Sequence, residues 1–445
     1  MASVNPEPEK GTTATAHPAA DTAADTADEI AVGASASASA DLLANSMGDY
    51  VRIMGRRVRS GESGALPVIV GLIAIVIFFQ AKSPLFLSAG NLVNLIAQSA
   101  FIITLGMAEI FVLLLGDIDL AAGFTAACGA VVALWMLALG DPWWAAVLTS
   151  LAACAAYGAV QGIITAKLRL PSFVVTLAGQ LGLSGLLLYL ISATGNIGVG
   201  GVINLHNSVI NDIESGQLSP AATWIVMLAI VVAAGLVMLY GDLRRRRAGL
   251  VAPPLSITLL KVAAVIVAGI VVALIANTNR GRAITLEGMP WAVLVVLAVL
   301  FIWTVLLSRT RFGRYVYAIG GNTEAARRAG INIVRIRTLA FTLCGLTAGI
   351  TGIIYASYLG SISTNVNGGQ NVLNAVAAAV IGGTSLFGGR GKMLHALLGG
   401  LVVGVINNGL QLLGLSAAAQ LMWTALVLLA AIIVDRVTRR GQAAT

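Results

Sequence analysis

Apolar runs, each near the length of a helix that crosses a bilayer, repeat along this chain with only short polar gaps between them. About 20 apolar residues in a helix span about 30 Å of hydrocarbon. Such runs lie at about 65–81, 91–115, 119–139, 143–166, 171–193, 221–240, 256–276, 290–308, 338–358, 370–382, 394–413 and 418–434. Charged residues make up 10% of the chain, against about 25% in a soluble domain. That is too little charge to coat a water-facing surface. The pattern predicts an all-α polytopic membrane protein of about 12 transmembrane helices (10–12). The 370–382 run is short, and 91–115 carries Glu109, so either is a candidate for a broken helix.

The placement of basic residues sets the expected orientation. Arg52 to Arg59, Lys167 with Arg169, Arg244 to Arg247, the 311–337 stretch, Arg390 with Lys392, and the basic tail fall in alternate gaps. The remaining gaps hold only Lys82, Arg280 and Arg282. Positive residues stay on the cytoplasmic side, which predicts cytoplasmic N- and C-termini. The same confinement to short loops argues against a nucleic-acid surface as the meaning of the net charge of +8.

Outside the spans, residues 1–40 have the composition of a disordered tail without a signal-peptide pattern. Residues 41–64 form a basic amphipathic segment suited to a membrane surface, with a solvated linker as the alternative. The transmembrane body covers 65–437, with a polar loop at 309–337 inside it and a cytoplasmic tail at 438–445. The cysteines Cys128, Cys154 and Cys344 sit in apolar runs, and His17, His206 and His395 are scattered, so neither a disulfide framework nor a metal site is expected. Gly388-Gly389-Arg390-Gly391-Lys392-Met393 lacks the first spaced glycine and the Ser or Thr of a phosphate loop. No catalytic residue and no cofactor is expected on this chain.

Two segments echo each other, Asn91-Leu92-Val93-Asn94-Leu95-Ile96-Ala97 and Asn371-Val372-Leu373-Asn374-Ala375-Val376-Ala377. Both begin runs that enter from outside, and both lead to glycine-rich turns, which suggests a parallel internal repeat. Asn94, Gln98, Thr104, Gln180, Asn374, Asn407, Asn408 and Gln411 supply uncharged hydrogen-bonding groups within the spans. They could line a path for a neutral polyol or hold helices together. Glu109 is nearly alone among intramembrane carboxylates, so hydrogen bonding to neighbours is expected of it rather than a proton relay. Asp117 and Asp119 are expected at a turn that caps the third span.

The stretch Arg311 to Arg337 is a basic island between apolar spans. Asn322 can cap a short helix, Glu324 can pair with Arg328, and Gly330 can end the helix. Two turns are too short to stand alone, so the helix needs something to lie against.

Phe312-Gly313-Arg314-Tyr315, Ile319-Gly320-Gly321-Asn322, Glu324-Ala325-Ala326-Arg327 and Gly330-Ile331-Asn332 resemble the cytoplasmic loop of sugar ABC-importer permeases of the ribose/xylose type. Gly116-Asp117-Ile118-Asp119-Leu120 resembles the family's Gly-Ile-Asp-Leu-Ser-Val-Gly turn, with Ala121-Ala122 in place of Ser-Val. Ile381-Gly382-Gly383-Thr384-Ser385-Leu386 with Gly388-Gly389 and Gly391, and Asn407-Asn408-Gly409-Leu410, match further motifs. Pro171 to Gly179 and the longer middle, 221–276, resemble the xylose branch. The resemblance covers about 66–437. It implies a permease homodimer in the plasma membrane that imports a pentose such as xylose. Cytoplasmic ATPase subunits would use ATP and Mg, and an extracytoplasmic sugar-binding protein would deliver substrate.

It further implies ATPase coupling through Gly320, Gly321, Asn322, Glu324, Ala325, Ala326, Arg327 and Gly330. From the uncharged groups named above, the candidate substrate path is Asn94, Gln98, Asn374, Asn407, Asn408 and Gln411; separately, Asp117, Asp119, Gly382, Gly383 and Ser385 belong to the turn motifs. The competing expectations are an ion-driven secondary transporter, a permease of the same family for another solute, and a membrane enzyme or scaffold. Neither coupling carboxylates nor a catalytic cluster is visible for the first or the last.

Overall fold

The computed structural model describes residues 66–193, 201–249, 255–280 and 285–416, with short pieces up to residue 429. The tail at 1–40, the segment at 41–64, the C-terminal tail and 8 of the 17 residues of the 418–434 run lie outside the described residues.

Apolar segments in lipid must satisfy their own backbone, so they become helices. These are α1 (Leu66–Lys82), α2 (Ala89–Leu113), α3 (Ala122–Ala138), α4 (Trp143–Lys167) and α5 (Ser172–Ala193). After β1 (Val202–Asn204) and α6 (Ser208–Asn211) come α7 (Pro220–Arg247), α8 (Leu255–Ala276) and α9 (Trp291–Arg309). Next are α10 (Arg311–Gly321), α11 (Thr323–Arg328), α12 (Ile333–Leu359), β2 (Ser361–Ser363), α13 (Gly368–Ile381) and α14 (Met393–Leu412). Among the described residues, 8 helices are long and apolar enough to cross a membrane, and α1, α3 and α13 are shorter apolar helices. The protein is therefore a polytopic helical membrane protein.

The chain divides into two compact units, Met1–Arg56 with Gly235–Ala263, and Arg57–Ala234 with Ala264–Thr445. In the smaller unit Thr258 Oγ1 donates to Asp242 Oδ2, and Gly235 leaves room for Val262. The features below belong to the larger unit.

Helices α2, α12 and α14 are the most buried of the long helices. Glycines let α12 approach its neighbours to backbone distance. A Cβ at Gly158 would overlap the Phe341 carbonyl, one at Gly345 the Cys154 carbonyl, and one at Gly352 the Ala126 carbonyl. In lipid, where burial alone does not hold helices together, such close packing is a principal source of cohesion. Cys128, Cys154 and Cys344 are free and buried among these contacts.

The expectation about broken spans is half corrected. Glu109 lies in an unbroken 25-residue helix, α2. The interrupted segments are α3, of 17 residues, and α13, of 14. Asp117 meets Arg337 near the start of α12, whereas Ala126 meets Gly352, about 22 Å further along that helix at 1.5 Å per residue. The chain from 117 to 121 thus climbs back into the bundle before α3 begins. The start of α13 lies at the same level, because a Cβ at Gly123 would overlap the Gly368 carbonyl. Asn367 caps α13 by accepting from Gln370 N at 3.1 Å. The paired strands β1 and β2, antiparallel with Ile203 opposite Ile362, precede this re-entry.

Candidate functional site

One end of the bundle carries the basic segment. Its helix α10 buries Val316 and Ile319, three residues apart on one face. Tyr317 donates its hydroxyl to Gly391 O at 2.7 Å, and burial raises its pKa, so it remains a donor. Asn322 then accepts from Ala325 N at 2.9 Å and caps α11, as its side chain predicts. Glu324 meets Arg327 at 2.8 Å and Arg328 at 3.6 Å, so the i,i+3 partner is the closer. Gly330 ends the helix in the left-handed region, at φ 79°.

The expected coupling residues fall into two groups. Gly320 and Ala326 face the bundle: a Cβ at Gly320 would overlap the Leu114 carbonyl and lie 2.6 Å from Gly389 N, and Ala326 is buried. Gly321, Asn322, Glu324, Ala325, Arg327 and Gly330 are exposed. Sequence reasoning read the region before Asn322 as loop and missed α10. The i, i+4, i+7 spacing of Phe312, Val316 and Ile319 is the sequence signal that could have found it.

Two glycine turns form the seat beneath. Gly389 N donates to Leu114 O at 2.9 Å and joins the turn after α2 to the turn after α13. Gly383 takes φ 112°, Ser385 N donates to Arg390 O at 2.8 Å, and Gly382 packs on the His395 backbone. Asp119 accepts from Ala121 N at 3.0 Å in the turn just before α3, whose N-cap, Ala121, has no side-chain cap of its own; the expected turn contact is present and the helix cap is not. Asp117 does otherwise: its Oδ2 lies 2.7 Å from Arg337 Nε. Neither carboxylate oxygen of Glu109 has a well-placed hydrogen-bond partner, against expectation, and Asp119 and the Cys344 thiol are its electrostatic neighbours.

The far end holds the polar side chains. Asn91 Nδ2 donates to Asn408 Oδ1 at 2.8 Å, Asn408 Nδ2 to Gln98 Oε1 at 3.2 Å, and Gln98 Nε2 to Gln411 Oε1 at 3.3 Å. Three expected path residues, Gln98, Asn408 and Gln411, are thus brought together, with Asn91 added. Asn374 instead accepts from Gln370 Nε2 at 3.3 Å, and Thr104 turns back onto Ala100 O. Asn94 and Asn407 do not join this network. Phe101, Tyr355 and Tyr358, which the sequence reading passed over, stand beside Gln98.

Glu214, in the segment after α6, is buried with both carboxylate oxygens unbonded, and its amide donates to Ser357 Oγ at 3.0 Å. Burial pushes its carboxyl pKa up from 4.5 to about 8. A raised carboxyl pKa favours the folded state at low pH and removes that stability as pH rises through the interval between the two values. The purified chain should therefore lose melting temperature relative to Glu214→Gln between about pH 4.5 and 8. The difference should vanish below that window and stay constant above it in thermal scans across pH.

A profile of the family described as branched-chain amino acid transport system / permease component matches residues 91–434, most of the chain. The chain belongs to this family. Among its permeases, the xylose transport system permease protein XylH of Escherichia coli K12 is 33% identical over 378 residues, 84% of this chain and 92% of the relative. The XylH protein of Haemophilus influenzae is 35% identical over 390 residues, 84% and 97% of the two chains. The ribose import permease protein RbsC of E. coli K12 is 30% identical over 367 residues, 82% and 92%. The resemblance to ribose/xylose permeases is thereby borne out, and the chain is a multi-pass membrane permease. No solved structure matches it.

Proposed function

We propose that this permease is the membrane subunit of an ATP-driven importer for a neutral pentose, with xylose favoured. The observation that carries this reading is the capped, exposed α11 surface, presented on a seat built from the permease's own glycine turns. A loop that only set orientation would need basic charge but neither cap nor seat. Cytoplasmic ATPase subunits would dock at Gly321, Asn322, Glu324, Ala325, Arg327 and Gly330, with Gly320 and Ala326 anchoring the segment from below. ATP and Mg would be used on those subunits. The charge balance supports about 12 crossings with both termini cytoplasmic; two copies would surround the path, and an extracytoplasmic sugar-binding protein would deliver substrate.

A neutral sugar also fits the far end, whose amides, hydroxyls and single carboxyl include no cation among the residues of the cluster. A free amino acid would call for paired charges. The test is uptake of labelled pentoses into proteoliposomes containing this chain, its ATPase and its binding protein. Uptake should require ATP inside the compartment where the ATPase faces. Uptake that ignores ATP and follows an imposed proton gradient would overturn the reading in favour of a secondary transporter.

A further inference from the structure

The rings of Phe101 and Tyr355 lie 4.8 Å apart at 54°, and those of Phe101 and Tyr358 lie 6.2 Å apart at 30°. All three are half-buried rather than sealed in the core. The Tyr358 hydroxyl is a polar neighbour of the Gln98 side chain, and the Tyr355 hydroxyl of that of Asn371. Aromatic faces from α2 and α12 are therefore bordered by amides from α2 and from the first turn of α13. Gln98 is in turn held by Asn408 and Gln411 of α14. The group stands beyond the level at which α13 is interrupted.

Glu214 adds an independent observation. Its side chain is 8% exposed, neither carboxylate oxygen is bonded, and it interacts electrostatically with Tyr358. A buried polar group left unsatisfied is costly, so it persists where something completes it. A monosaccharide offers what these residues lack. Its C–H faces lie against aromatic rings, and its hydroxyls donate and accept at once.

We propose that Phe101, Tyr355 and Tyr358, with Gln98, Asn371 and Glu214, form a stacking subsite that holds one neutral monosaccharide on its way through the permease. This rests on the importer reading above. The rings fix the plane of the sugar, Gln98 and Asn371 select hydroxyl positions, and the Glu214 carboxyl closes the remaining hydrogen bonds. Binding here would be weak, since tight holding in mid-path would slow release.

The experiment uses the complete transporter in proteoliposomes, with labelled D-xylose and D-ribose as probes. Uptake and binding-protein-stimulated ATP hydrolysis are both recorded. Phe101→Leu and Tyr355→Leu should lower uptake at least about tenfold. They should also shift the xylose-to-ribose ratio by about threefold or more, while ATP hydrolysis remains stimulated. Tyr358→Phe, which keeps the ring and is the variant least prone to misfold, should raise KM more than it lowers kcat. Glu214→Leu should lower uptake at least about tenfold, and Glu214→Gln, which keeps the shape and part of the hydrogen bonding, should lower it by a smaller factor.

Two results overturn the subsite alone: both sugars falling in parallel with ATP hydrolysis, or an unchanged ratio and unchanged KM in every variant. A wild-type transporter that takes up neither sugar under ATP overturns the importer reading and the subsite with it.

Discussion

Reversing the charge of Glu324 (Glu324→Lys) should cut ATP-driven sugar uptake by about tenfold or more, equivalent to about 1.4 kcal/mol of lost docking free energy. The folded chain should scarcely register the change. Glu324 and its partners Arg327 and Arg328 are all more than half exposed, and exposed pairs contribute about 0–1 kcal/mol. The effect therefore separates coupling from folding: normal amounts in the membrane and a normal melting temperature, with ATP hydrolysis no longer tied to uptake. Measuring hydrolysis and uptake in the same proteoliposomes checks it. Wild-type uptake by this variant would remove α11 from the docking surface.

Gly320→Val should have the opposite character and be the more damaging change. Any side chain there meets the Leu114 carbonyl and Gly389 N, which are backbone and cannot rotate away. Overpacking of this kind costs about 3 kcal/mol. Here it would lift α10 and α11 off their seat and part the two glycine turns. Both the melting temperature and ATP-driven uptake should fall, whereas Gly321→Ala, which meets open space within this chain, should leave the melting temperature nearly unchanged. Thermal unfolding of the two purified variants, beside uptake, distinguishes seat from surface.

Much of this was legible because the signals were local. The cap at Asn322, the helix end at Gly330 and the spans themselves are written within a few residues of sequence. The short run at 370–382 announced a broken helix through its length. The break before α3 did not, because Asp117 and Asp119 read as an ordinary turn at the membrane edge. Only the Asp117–Arg337 pair and the approach of Gly352 to Ala126 reveal that the chain climbs back inside. The amides of the far end could be named from sequence, but their grouping depends on α2 meeting α14. The rings were harder still, since Phe101 and Tyr355 look like any apolar span residues until two helices bring them within 4.8 Å of each other.

Helix α12 carries Arg337 at one end and Tyr358 at the other, 21 residues or about 32 Å apart along one continuous rod. Its glycine seam against α4 keys it by backbone contact at Gly158 and Gly345. Under the importer reading it would act as a pushrod in a guide, carrying movement imposed at the basic segment to the rings with little side-chain slack in between. The phase of the two ends is fixed as well. A helix turns about 100° per residue, so the number of residues between Arg337 and Tyr358 determines whether the stroke tilts the rings toward the path or away from it.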